Sequence, residues 1–329
     1  MKTEKHHQNV RIGITLGCPA GVGGEVTLKA LPHIESGISA VLIGRKSVLD
    51  SHYPSFMSSL NIPLFNAENP AEALVSFYDI ESDFPVPELG KGNLDTAKES
   101  ISYIDASIEL WKQGLVDAVV TAPVHKGLIE KSGLKFMGHT EYFAEKINEA
   151  DPVMMMYSEK LAVVLVTTHY KIADIPKLVT AEKIESTIRT ANDALRKIRG
   201  RKPKIALAGL DPHCGDNGAI GTFDTEVSAR VVEKLKTEID VSGPYSADTL
   251  FMKSKWEQYD VAIAHYHDQG LIPFKILAFD KGVNVTLGLS LVRTSVDHGT
   301  AYDIAGKDMA GFQSMVEAVD LAALLVRGR

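Results

Sequence analysis

The sequence predicts an α/β protein built on buried, largely parallel sheet. Three observations carry that prediction. Apolar runs of strand length alternate with segments of helical apolar period along the whole chain, the pattern of strands joined by crossover helices. A chain of 329 residues with 45% hydrophobic but only 7% aromatic residues has the aliphatic content to bury a large core. Turns rich in glycine or histidine follow several of the strand runs, at the edge where open parallel sheets meet their ligands.

In chain order, VRIGITLG (10–17) is the first strand, and the glycine-rich GCPAGVGGE (17–25) turns it into a helix. Backbone N–H groups of such a turn can receive an anion or a cofactor face, although the glycines do not fall in the G-x-G-x-x-G register of the dinucleotide fingerprint. AVLIGR (40–45) is a second strand, and ESDFPVPELGKGNLD (81–95), with its prolines, glycines and acids, reads as a loop. Ala97, Ile101, Ile104, Ile108, Trp111 and Leu115 then recur at steps of three or four, which is the core-facing stripe of a helix. DAVVTA (117–122) is a strand, and MGHTEYF (137–143) sets imidazole and hydroxyl donors before another helix. LAVVLVTT (161–168), KIALAGL (204–210), DVAIAHY (260–266) and VNVTLGL (283–289) are further strands, with a helix from about Ala181 to Ile198 between the first two. A last helix runs through Phe312, Met315, Val316, Val319 and Leu324. There is no internal repeat and no low-complexity tract.

A formal net charge of -7 with scattered lysines and arginines gives no basic field for nucleic acid. No stretch approaches the roughly 20 apolar residues of a membrane helix, and the charged opening MKTEKHHQNV has no signal-peptide core, so the expected location is cytoplasmic. The pair His6–His7 precedes the first strand and is set aside. Two cysteines, Cys18 and Cys214, are too few for a disulfide framework or a four-thiolate zinc site.

Histidine recurs where chemistry is expected. His169 lies just past one strand, His213 three residues past a second, and His267 at the tip of a third. Three imidazoles on one sheet edge can hold a divalent metal and leave a position open for substrate; the plainer reading is three separate loop histidines, since the gaps match no short zinc motif. His265 and His267 are two apart and would share a strand face, with His265 packed into the sheet. Lys275, Asn284 and Arg293 are donors near strand ends, suited to an anionic substrate and otherwise solvated surface groups.

The stretches TAPVHKGLIEKSG, GHTEYFAE, LVTTHYKIADIPK, GLDPHCGDNG, GPYSADTLF, YHDQGLIPFK and GVNVTLGLSLVRTSVDHGTAYDIAGK together resemble the 4-hydroxythreonine-4-phosphate dehydrogenase (PdxA) family of vitamin B6 synthesis, from about residue 11 to the last helix. The resemblance implies a two-domain α/β fold like isocitrate and isopropylmalate dehydrogenases, with mainly parallel sheets and an active-site cleft between the domains. It sets 1–130 plus 285–329 as a discontinuous cofactor-binding domain, and 131–284 as the metal, substrate and dimerisation domain. It implies His169, His213 and His267 as ligands of a divalent metal (zinc, magnesium or cobalt). His139, Thr140, Lys275, Asn284 and Arg293 would hold a phosphorylated hydroxy-acid substrate. DHGTAYDIAGK (297–307) echoes the adenosine-binding loop of that wider superfamily, which gives His298, Gly299, Thr300 and Asp303 as contacts for NAD or NADP. Asp268 and Asp248 are the candidates to move the hydroxyl proton. The family works as a homodimer with the active site at the subunit interface.

Two departures stand in the first turn, where the family reads G-D-P-A-G-I-G-P-E: Cys18 replaces the aspartate and Gly24 the proline, and His265 also stands where methionine is common. Besides oxidation of 4-phosphooxy-L-threonine, the sequence therefore leaves open a dehydrogenase of 4-phospho-D-threonate or 4-phospho-D-erythronate. More distant readings are a metal-dependent phosphatase and a binding protein without turnover.

Overall fold

The structure is a computed structural model that describes residues 9–278 and 281–328, so the His6–His7 pair lies outside the described residues. Two compact units emerge: one takes the described residues up to Ala150 together with Leu289–Arg327, the other Asp151–Gly288. The sequence reading divides the chain near 130 and 284 instead. Residues 131–150 join the first unit because their helix, His139–Ile147, is tied to the helix Leu94–Lys112: Tyr142 Oη donates to Asp105 Oδ1 at 2.7 Å, and Lys146 Nζ lies 3.1 Å from the same oxygen. At the other crossing, the strand Val283–Leu287 runs past 284 as an unbroken antiparallel partner of Val153–Tyr157.

Eleven strands are present among the described residues: β1 (Val10–Thr15), β2 (Ile38–Gly44), β3 (Val75–Asp79), β4 (Ala118–Thr121), β5 (Val153–Tyr157), β6 (Ala162–Leu165), β7 (Ile205–Ala208), β8 (Val241–Tyr245), β9 (Val261–Ala264), β10 (Val283–Leu287) and β11 (Val292–Val296). In the first unit the order is β3-β2-β1-β4-β11, every pair parallel. β2 and β4 are buried at every position, as expected of strands covered on both faces. The helix Leu94–Lys112 starts where the proline-rich loop ends. Asn93 caps it: its side chain accepts from Thr96 N, and Thr96 Oγ1 accepts from Asn93 N, both at 2.9 Å. The closing helix, Gln313–Arg327, packs against β11, β1 and β4.

The second unit has strand order β10-β5-β6-β9-β7-β8. Its first two pairings are antiparallel, while β6, β9, β7 and β8 run parallel. The helix Ala181–Arg199 is capped by Thr180 and closed by Gly200 at φ 64°, a left-handed position that glycine takes without cost.

β3, β5, β8 and β11 have no counterpart in the sequence reading, each for a local reason. β5 is a run of methionines rather than β-branched residues, β8 contains Gly243 and Pro244, β3 is short and ends on the exposed Asp79, and β11 carries polar residues that are nonetheless buried. One expectation is overturned. β9 stops at Ala264, and His267 opens the helix His267–Ala278. His265 and His267 therefore do not share a strand face.

Candidate active site

Within the second unit, β6, β9 and β7 are consecutive parallel neighbours, and each is followed at its carboxyl end by one of the three histidines. The rings of His169 and His267 stand 5.4 Å apart, centroid to centroid. His213 follows the third strand. Its loop is unusual: His213, Cys214, Gly215, Asp216 and Asn217 all have φ between 44° and 82°, a left-handed turn that L-residues with a Cβ resist. Among the described residues no group of three histidine, cysteine, aspartate or glutamate side chains converges closely enough to hold a metal within one chain.

The donor chemistry nevertheless suits a cation. His267 Nδ1 donates to Asp268 Oδ1 at 2.7 Å, the orienting bond that metal-binding imidazoles make with a carboxylate through the nitrogen facing away from the metal. His213 Nδ1 lies 3.5 Å from Ser246 Oγ, which in turn donates to Asp248 Oδ1 at 2.6 Å. That hydroxyl, and His213 further off, hold the Asp248 carboxyl below its usual range. Asp268 thus engages one imidazole directly, and Asp248 reaches another only through Ser246.

His265 is fully buried at the end of β9, with its ring edge-on to Phe223. Burial pushes its imidazole down to about 4, Asp224 and the Ala208 carbonyl opposing the shift, so the ring is neutral at physiological pH. The Ala208 carbonyl faces the ring, but neither ring nitrogen makes a well-formed hydrogen bond. Lys275 is half-buried on the helix His267–Ala278, and Asn284 is half-buried in β10 opposite Met156.

The first unit holds a separate cationic cluster. The helix His139–Ile147 begins at Gly138, which has no side chain to cap it. Thr140 is buried there, and His139 Nε2 is buried without a partner. Burial holds His139 well below the ordinary imidazole value, and the positive charges of Arg293 and Lys126 push the same way. Arg293, 2% exposed on β11, donates through Nη2 to Thr121 Oγ1 at 2.7 Å, and burial lowers its guanidinium to about 9, still charged at neutral pH. A Cβ at Gly138 would lie 2.7 Å from Glu141 Oε2 and 3.2 Å from Lys126 Nζ, so one carboxylate stands among these cations. Lys126 was outside the sequence-derived set; its position directly after β4, at the edge that also follows β11, was the available signal. Ser246 carried no such signal, because serines are common in any loop.

The glycine turn is knit to the 297–307 loop. Val22 N donates to Thr300 O at 3.1 Å, and a Cβ at Gly21 would sit 2.9 Å from that same oxygen, which leaves glycine as the fitting residue. Cys18 N donates to Pro123 O and Gly21 N to Cys18 O, so several of the amides expected to receive a ligand serve the fold instead. Cys18 is buried, its sulfur 3.2 Å from Tyr302 Oη, and Tyr302 stacks on His125 with ring centroids 5.7 Å apart. His298 Nδ1 lies 3.0 Å from Gly299 O, and Asp303 is exposed.

Parallel-sheet α/β units, with histidines after three adjacent strands of one and a glycine turn laced to the 297–307 loop of the other, place the chain in the broad class of α/β enzymes. Comparison with known proteins makes the class specific. The family model for the pyridoxal phosphate biosynthetic protein PdxA matches residues 37–322. A 4-hydroxythreonine-4-phosphate dehydrogenase of Sulfurihydrogenibium sp. is 39% identical over 97% of this chain and 99% of its own. A Bradyrhizobium diazoefficiens protein, provisionally named a D-threonate 4-phosphate dehydrogenase, is 36% identical over 96% and 97%. The crystal structure of 4-hydroxythreonine-4-phosphate dehydrogenase from Klebsiella pneumoniae superposes with a TM-score of 0.80 at 33% identity, covering 96% of this chain and 99% of that one. The chain belongs to the PdxA family.

Proposed function

We propose that this protein oxidises 4-phosphooxy-L-threonine with NAD or NADP to 2-amino-3-oxo-4-phosphooxybutanoate, which decarboxylates to 3-amino-2-oxopropyl phosphate on the route to pyridoxal phosphate. The observation that carries this reading is the placement of His169, His213 and His267 after three adjacent parallel strands, in a chain of this family. Those imidazoles would hold zinc, magnesium or cobalt, and a bound divalent cation supplies a Lewis acid for the substrate hydroxyl. His139, Thr140 and Arg293 offer a phosphate the uncapped helix start and a buried guanidinium, while Lys275 and Asn284 are further substrate donors. Asp268 and Asp248 are the carboxylates available to take the hydroxyl proton; Asp268 also orients the His267 imidazole, while Asp248 holds the Ser246 hydroxyl. His298, Gly299, Thr300 and Asp303 are the proposed cofactor contacts, which makes the first unit the cofactor-binding one.

The protein acts as a homodimer in the cytoplasm. Ile272 and Ile276, one turn apart on the helix that begins at His267, are 59% and 78% exposed, an apolar stripe suited to a second copy of this chain. A partner subunit would also account for a ligand set that the described residues of one chain do not close.

The experiment is direct. Purified protein with divalent metal and NAD should reduce the cofactor when 4-phosphooxy-L-threonine is added. A second reading, oxidation of 4-phospho-D-threonate, draws on the Bradyrhizobium relative and on Cys18 with its Tyr302 partner in place of the family aspartate. NADH formed only with the sugar acid would select it, and phosphate release without NAD would select a hydrolase instead.

A further inference from the structure

We infer that Gln269 and Asp224 are positioning residues, which set where His213 stands relative to His267; the inference rests on the proposed metal site. The regular β9–β7 ladder ends at the pair Leu207↔Ile263. Beyond it, the side-chain amide of Gln269 takes the place of the next rung. Its Oε1 accepts from His265 N at 2.7 Å, and its Nε2 donates to Gly209 O at 2.7 Å. A parallel rung needs a donor and an acceptor in one plane, and among side chains of this reach only the glutamine amide offers both.

Asp224 grips the next residues of the same corner. Its carboxylate, fully buried, accepts from Leu210 N at 3.0 Å and Asp211 N at 2.9 Å, and from Ser228 Oγ at 2.9 Å. Gly209 fits between them: a Cβ there would lie 2.6 Å from Cys214 Sγ and 3.2 Å from Asp224 Oδ2. On the far side of β9, Thr167 ties the strand that leads to His169, with N and Oγ1 both donating to His265 O at 3.1 and 2.6 Å. The three histidine-bearing strand ends are therefore laced in series from Thr167 through His265 and Gln269 to Gly209, with Asp224 fixing the exit toward His213. Gln269 lies two residues from His267, so one short segment carries both a ligand and the tie that locates another. Neither Gln269 nor Asp224 needs to touch metal or substrate.

The test uses full-length, metal-free protein titrated with Co²⁺, read by its visible absorption and dissociation constant. Gln269→Leu and Asp224→Asn should weaken Co²⁺ binding by roughly 10-fold, the low end of the loss seen when a group bonded directly to a ligand is removed, since both act through backbone, and should shift the absorption bands. Gln269→Glu, which keeps the acceptor and loses the donor, should fall with Gln269→Leu. Ser228→Ala is the structural control: it removes one bond to Asp224 but leaves the grip on Leu210 and Asp211, so it should lower the melting temperature and leave Co²⁺ affinity unchanged. Wild-type affinity and spectrum in Gln269→Leu, Gln269→Glu and Asp224→Asn would overturn the inference alone. Co²⁺ binding that is absent from the wild type, or intact in His213→Ala, would overturn the metal site and this inference together.

Discussion

His265 shows how little a residue type says without its surroundings. It sits two positions from a proposed ligand, yet it is fully buried and its ring nitrogens have no partner in good geometry. Burying an unsatisfied polar group costs about 1–3 kcal/mol. His265→Met, an apolar side chain of similar volume, should therefore raise stability at pH 7 by about 1 kcal/mol and leave metal binding in place; calorimetry and a metal titration check both halves. The proposed ligand histidines should respond in the opposite way. His169→Ala, His213→Ala and His267→Ala should each abolish metal binding and activity while shifting the melting temperature little, because all three rings are at least partly exposed and carry little of the core. Full metal stoichiometry in all three variants would remove the site. The histidines could be read from the sequence because each follows a strongly apolar strand. Gln269 could not, because what distinguishes it is a pair of backbone atoms brought close only by the sheet order β9-β7, and Asp224 could not, because its partners Leu210 and Asp211 meet it only once their loop has folded back.

At the scale of elements, the central strands and long helices were legible wherever burial dominates: β1, β2, β4, β6, β7, β9 and β10 are mostly apolar, and the Leu94–Lys112 stripe has a clear helical period. Polar strands escaped notice. β11 reads VRTSV, yet all its residues are buried, because it completes the first sheet and its Arg293 and Thr294 find partners inside. The closing helix supplies a pH-dependent prediction. Burial, with Glu35 and Glu317 nearby, raises the Asp320 carboxyl to about 6. The native state then binds this proton more tightly than the unfolded chain, so its contribution to stability is full below about pH 4 and is lost as pH rises through 6. Asp320→Asn should accordingly stabilise the protein at pH 7.5 by roughly 1–2 kcal/mol, allowing for partial exposure, and make no difference below pH 4. Chemical denaturation at the two pH values measures the difference.

For the whole molecule, the proposed second copy makes a prediction about assembly. Ile276→Asp, on the most exposed part of the helix that follows His267, should convert a dimer into monomers in sedimentation and weaken metal binding with it. A dimer of unchanged stability would place the subunit contact elsewhere. The division into two units was only coarsely legible. A sequence shows that a chain crosses between units but not which side a short helix such as His139–Ile147 will join, since that choice is made by Asp105, more than thirty residues away. The five left-handed residues at 213–217 have a consequence for motion as well as for shape. A helical conformation of that hand costs roughly 1–2 kcal/mol per ordinary residue, so this corner opens at a smaller free energy than the strands it joins. Hydrogen exchange should find the Leu210 and Asp211 amides released together in a local opening, well before those of β7 and β9. The segment that delivers His213 would thus be the first part of its sheet edge to let go, and ligand binding would be registered there as slowed exchange.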